Sequence, residues 1–208
     1  LTEALTLHFE VIPRQAVDEL RRLIDRTHYQ SGKTRGEFLG CYADKADLKR
    51  LAPDFAFDES KERVAVGAAV LQQGCSYANP RGRRHLAAEH FPKLKLDLLA
   101  RNVIVQRMGL ALISRVAVEP GLQGLGIGTN LALACRRQAS ILYPGTRFVE
   151  VMTSRTRHEW EQIKKQESSG GDFLRAAGFR LAPFTTRAKN PKERGGRDRV
   201  LYYWAPVL

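Results

Sequence analysis

Alternation of apolar and polar positions in "LTLHFEVI" (Leu5–Ile12) predicts a strand. Pro13 then leads into "RQAVDELRRLIDRTHYQ", where Ala16, Leu20 and Leu23 recur at helical spacing. "SGKTRGEF" ends that helix, "FLGCYA" (Phe38–Ala43) predicts a short strand, and "DKADLKRLAPDFAFDESKE" is polar with two weak apolar clusters and predicts no element. "RVAVGAAVLQQ" (Arg63–Gln73) is a continuous strand pattern. A basic excursion over 77–108 follows, with a helix expected near Lys93–Arg101. "LALISRVAV" (Leu110–Val118) is the next strand, and "EPGLQGLGIG" joins it to a helix reaching Ala139, with Ile127, Leu131, Ala134 and Gln138 on one face. "TRFVEVMTS" (Thr146–Ser154) is a further strand, "HEWEQIKKQ" and "GGDFLRAAGF" read as a broken helix, and "FRLAP" and "RVLYYWAPV" close the chain as two strands. The order predicts an α/β fold with a mixed sheet, and one domain over 1–208 without repeat or linker.

Composition narrows the class. Hydrophobic residues make up 43% of the 208 positions, yet no apolar run has the length of a membrane span, so a soluble chain is expected. The chain opens on Leu1 with no charged-then-apolar leader, which suggests a trimmed start. Cys41, Cys75 and Cys135 have neither disulfide-framework nor zinc-ligand spacing, and the compartment expected is the cytoplasm. His85 and His90 in "HLAAEH" are one residue too far apart for a helical metal pair, so they are taken as solvated surface and no metal is expected.

Charge is more informative. Thirty-four Lys and Arg against 22 Asp and Glu give a net charge of +12, which suits a polyanionic partner. The charge clusters in two stretches punctuated by Gly and Pro and therefore read as loops: "NPRGRRH", with Arg81, Arg83 and Arg84, and the loop over 185–199, with Arg187, Lys189, Lys192 and Arg194. Phosphate contact, and so nucleic-acid binding, is expected of both.

"GLQGLGIG" spends four glycines in eight residues between a strand and a helix, an arrangement that points backbone N–H groups and a helix N-terminus at one anion. A nucleoside triphosphate loop needs a lysine where Ile127 stands, and a dinucleotide fingerprint needs GxGxxG where Gly124, Gly126 and Gly128 give GxGxG, although Glu150 lies at about the distance of a ribose carboxylate. With strand and helix on either side, Gln123 to Gly128 resembles the [QR]xxGxG[AG] signature of the GCN5-related N-acetyltransferases (GNAT), departing only at Thr129. "FLRAAGF" (Phe173–Phe179) resembles that family's later helix end, and the likeness runs from Leu110 to Phe179.

The resemblance implies a GNAT-like, mostly antiparallel sheet flanked by helices, and acetyl-CoA or another acyl-CoA as cofactor. It implies that Gln123, Gly124, Leu125, Gly126, Ile127, Gly128 and Thr129 hold the coenzyme pyrophosphate. Val116, Ala117 and Val118 would pair with the pantetheine arm, and a main-chain N–H there would polarise the thioester carbonyl. The tyrosine that reprotonates the thiolate in many members falls at Leu174, leaving Ser154, Thr153, His158, Tyr202 or a water for that role, with Ser154 ranked first.

Ser114 and Arg115 are expected on opposite faces of the central strand, with Arg115 either paired to a carboxylate or reaching substrate. His28 and Tyr29, after the first helix, supply a general base and an aromatic platform. "THY", "ISRVAVEP" and "VEVMTS" are also similar to the phage Mom-type DNA-modification branch, which would make His28, Tyr29, Ser114 and Arg115 active-site positions. Together these imply an acyltransferase acting on nucleic acid: a DNA base amine first, reached by flipping against Tyr29 or Trp160, then a toxin-type reaction on aminoacyl-tRNA. The remaining alternative is a GNAT-fold module that only binds nucleic acid.

Overall fold

The computed structural model describes residues 5–27, 35–74, 80–93, 101–155, 172–187 and 199–208. Its elements run β1 (Leu7–Ile12), α1 (Asp18–Thr27), β2 (Glu37–Asp44), α2 (Lys45–Leu51), β3 (Arg63–Gln73), α3 (Pro80–His90), α4 (Arg101–Met108), β4 (Leu110–Val118), α5 (Ile127–Leu142), β5 (Phe148–Arg155), α6 (Phe173–Ala176), β6 (Arg180–Arg187) and β7 (Arg199–Pro206). The seven strands form one sheet in the order β1-β2-β3-β4-β5-β7-β6. All neighbours are antiparallel except β4 and β5, whose parallel pairing requires the crossover that α5 provides.

α5 forms because small and aliphatic residues recur on the face it turns to the sheet: Ile127, Leu131, Ala134, Cys135 and Ala139 are all buried. They join Val66, Ala69, Ile113, Val151 and Tyr203 in the largest core cluster. On the other face of the sheet lie two separate clusters. α1 buries Leu20, Leu23 and Ile24 against Phe38, Ala68 and Val70, and α3 with α4 buries Leu86, Val105 and Met108 against Tyr202 and Trp204. Cys41 and Cys135 are free and buried in the first cluster, and burial pushes both thiols up to about 12. At about pH 8 both stay protonated and inert, so Ellman's reagent is expected to titrate at most one of the three cysteines in the native protein and all three after denaturation. Rapid modification of two or more native thiols would contradict this packing.

Three expectations are corrected. α2 lies where the pattern predicts no element. "PRGRRHLAAEH", whose first part reads as a basic loop, is a helix. Proline is at home at the first helical position, and Gly82 is there for close approach, since a Cβ at this residue would stand 2.3 Å from the Tyr202 ring. Of the two histidines expected at the surface, His90 is exposed, with its ring against Phe148, whereas His85 is half-buried, edge-on to Trp204 and Phe184. The helix expected near Lys93–Arg101 falls mostly outside the described residues, and α4 starts at Arg101.

Candidate active site

The site grows from the middle of the sheet. β4 pairs with β5 only over Leu110–Ile113, matched to Phe148–Val151. Beyond that, β4 stays with β3 as far as Val118 and β5 stays with β7 as far as Arg155. From Ser114 onward the two central strands therefore part, and the β4 edge that faces β5 has no partner strand among the described residues. The cause is visible in the register, where Val70 pairs with Arg115 but Leu71 with Ile113, so Ser114 is the extra residue of a β-bulge. A bulge breaks alternation, and both Ile113 and Val116 turn to the α5 side. Ser114 and Arg115 thus sit together at the bend rather than on opposite faces. Ser114 Oγ donates to Val70 O at 3.3 Å and Arg115 Nη1 to Ser114 O at 2.8 Å.

The glycine turn follows directly. Gly124 and Gly126 have φ of 90° and 78°, values that only glycine adopts cheaply, and a Cβ added at Gly124 would enter open space. α5 begins at Ile127 with no side chain capping it and no acidic residue in its first turn. Its first N–H groups have no acceptor within the helix and carry the positive end of the helix dipole. They open onto a cleft of about 570 Å³ between β4 and α6. Val116 and Val118 form one wall, Gln123, Gly124, Gly126, Ile127, Gly128 and Thr129 the turn, and Asp172, Phe173 and Ala176 the other wall. Of the residues expected at a cofactor, Ala117 turns its side chain to the α1-side cluster while its main chain stays on β4, and Leu125 is exposed. The open anion site, the strand edge and the narrow cleft between them fit a long thioester carrying a pyrophosphate.

The other candidates separate. Ser154 is buried on the β5 face shared with Glu150 and Met152, on the side of the sheet away from α5. Thr153 turns the opposite way, and its Oγ1 is buried with no hydrogen-bond partner among the described residues. Leu174 is fully buried core. Tyr202 is also enclosed, donating to Glu150 Oε2 at 3.0 Å, and burial followed by the adjacent carboxylate holds its hydroxyl well above the usual tyrosine value. Arg83, expected on phosphate, is buried instead: its Nε donates to Glu150 Oε2 at 3.1 Å and its Nη2 to Oε1. Glu150, whose spacing alone suits a ribose ligand, is fully buried in that network. Arg81 and Arg84 are exposed on α3, Arg81 lying 4.3 Å over the Phe184 ring, and Arg187 is exposed at the end of β6. His28, Tyr29, His158, Trp160, Lys189, Lys192 and Arg194 lie outside the described residues.

Sequence reasoning missed two groups. Asp172 caps α6 by accepting from Leu174 N at 3.1 Å, and Tyr203 donates to its other oxygen at 2.7 Å. Tyr203 of β7 thus reaches the start of α6 through Asp172. Burial, then Asp172, raises the Tyr203 pKa, which keeps it protonated and makes it a holder of Asp172. A lone aspartate before "FLRAAGF" carried a helix-cap signal, but nothing in the sequence paired it with Tyr203.

No protein-family model matches the chain, and no curated protein matches it in sequence. Solved structures do resemble it. An IAA acetyltransferase from Bacillus cereus aligns over 97% of this chain and all of its own at 15% identity, with a TM-score of 0.55. NAA60 of Arabidopsis thaliana in complex with acetyl-CoA aligns over 97% and 99% at 11% identity and 0.53. A Bacillus subtilis acetyltransferase in complex with CoA aligns over 99% and 100% at 16% identity and 0.52. At these identities the likeness is one of fold.

Proposed function

We propose that this chain, whose fold is that of the GNAT acetyltransferases, is an acyl-CoA-dependent N-acyltransferase acting on a nucleic-acid acceptor, with a DNA base amine as the acceptor group. The observation that carries the reading is the parting of β4 from β5 beside an uncapped helix start. Acyl-CoA would supply an activated acyl thioester. The N–H groups of the turn and of the first turn of α5 hold the pyrophosphate. The free edge of β4 at Val116–Val118 pairs with the pantetheine amides as an added strand would, and its N–H groups at the bend stabilise negative charge developing on the thioester oxygen. Phe173 closes the cleft against Gly128, its ring 3.4 Å from where a Cβ there would stand, which limits water. Ser114, Arg115 and Ser154 border the gap on the acceptor side, and Thr153 Oγ1 is a donor on the coenzyme side. His28 is kept as the base that takes a proton from the attacking amine.

The acceptor rests on charge: +12 overall, with Arg81, Arg84 and Arg187 exposed. The test is incubation with acetyl-labelled acetyl-CoA, together with single-stranded DNA or aminoacylated tRNA, followed by digestion and mass spectrometry of the nucleosides. Label on a DNA base is expected. Label confined to the aminoacyl end of tRNA would move the acceptor to the second reading, and label on neither would leave a nucleic-acid-binding module.

A further inference from the structure

α6 is a single turn of four residues, too short to be stable alone, yet it forms one wall of the cleft. Leu174 and Ala177 bury their side chains and fix how deep it sits. Apolar burial has no direction, so the tilt and rotation of one turn depend on what holds its two ends. At the start, Asp172 accepts from Leu174 N with one oxygen and from the Tyr203 hydroxyl of β7 with the other, the second bond being 2.7 Å. At the end stands Arg136 of α5, whose Nη1 donates to Ala177 O at 2.7 Å and whose Nε donates to Pro206 O at 2.9 Å. One guanidinium thus ties α6 to α5 and to the last residue of β7. The approach is close. A Cβ on Gly178 would stand 2.8 Å from Arg136 Nη1, so "AAGF" needs its glycine for this contact as well as for a φ of 78°.

Arg136 is 7% exposed, and among the described residues no carboxylate pairs with it. A buried cation held by carbonyls alone is costly, and an apolar residue of similar length would fill the space at less cost. What the arginine adds is a fork of donors for carbonyls at the ends of two elements, which have no donor of their own. Both anchors bear on the wall that faces the free edge of β4. Between them Phe173 and Ala176 line the cleft across from Val116 and Val118. We infer that Arg136 and Tyr203 are positioning residues for the acyl-CoA: by fixing α6 from both ends they set the width of the cleft between α6 and the β4 edge, where the pantetheine arm lies. This rests on the acyltransferase reading. The nucleotide half of the coenzyme lies on the glycine turn, to which neither residue hydrogen-bonds. The two halves of the coenzyme should therefore respond differently to loss of an anchor.

The experiment titrates the whole chain calorimetrically with two ligands: acetyl-CoA, and 3′-phospho-ADP, which is the coenzyme without its pantetheine arm. It compares the wild type with Arg136→Met and Tyr203→Phe, each of which removes one anchor and keeps most of the side-chain volume. Val17→Ala, a cavity in the cluster on the other face of the sheet, is the control for lost stability alone. Acetyl-CoA should bind roughly fivefold to tenfold more weakly to each anchor variant, the size of one lost hydrogen bond. 3′-Phospho-ADP should bind both as it binds the wild type, and Val17→Ala should change neither affinity. Circular dichroism shows which variants are folded at the titration temperature, and Tyr203→Phe, which keeps its ring, decides the matter where Arg136→Met is not. Unchanged acetyl-CoA affinity in either folded variant would overturn the inference, because that anchor would then serve stability only. Equal weakening of both ligands would also overturn it, since the damage would have reached the turn. No binding of acetyl-CoA to the wild type would instead remove the acyltransferase reading, and the inference with it.

Discussion

Glu150→Ala is expected to lower the melting temperature by roughly 10 °C, the largest stability loss from any single substitution among the polar residues of the site region. Glu150 is fully buried and accepts from Arg83 Nε, Arg83 Nη2 and the Tyr202 hydroxyl. Removing it takes the carboxylate away from a guanidinium that is 4% exposed and from a phenol that is fully buried. Breaking a buried pair in this way costs about 3–5 kcal/mol, because the guanidinium loses both carboxylate hydrogen bonds where water does not replace them. A chain of this size melts about 2–4 °C lower for each kcal/mol. The double replacement Arg83→Met/Glu150→Leu should recover much of the loss, since no charge is then left behind. The network ties α3 to β5 and β7, so thermal unfolding followed by circular dichroism reads its worth directly. A drop of about a degree or less in Glu150→Ala would mean that α3 is not held this way.

The second large effect is functional. Gly124→Ala should cut stabilisation by acetyl-CoA by half or more while leaving a folded protein. At φ 90° an L side chain costs about 1–2 kcal/mol, a few degrees of melting temperature. The new methyl meets nothing in the protein, since no heavy atom lies within 4 Å of its position. It would project from the turn that lines the cleft, where the proposed function puts the coenzyme's phosphates. Isothermal titration should show an affinity drop of at least about tenfold, which is ~1.4 kcal/mol. Unchanged affinity would mean that the coenzyme does not approach the turn by its backbone.

What the sequence disclosed and what it hid follow from the range of the forces involved. The seven strands, α1 and α5 are written in local periodicity, and the turn in four glycines at fixed spacing, so the donor side of the site is legible without coordinates. α3 is easily misread because Pro80 and Gly82 look like loop punctuation, although one starts the helix and the other makes room for Tyr202. Arg83 and Glu150 are 67 positions apart, and no spacing rule joins them. The bulge that brings Ser114 and Arg115 together exists only in the pairing of β4 with β3. Long-range pairing, which local pattern does not encode, thus decides most of the acceptor side.

The central claim is that the cleft beside the glycine turn binds acyl-CoA. Its most direct test is the thermal shift of the wild type and of Gly124→Ala on titration with acetyl-CoA, with ATP as the control nucleotide. A ligand that binds only the folded state adds about 2.7 kcal/mol at a hundred times its Kd. The wild type should therefore gain on the order of 5–10 °C with acetyl-CoA, much less with ATP, and the variant at most about half of the wild-type gain. No shift in the wild type, or the same shift in both proteins, would contradict it.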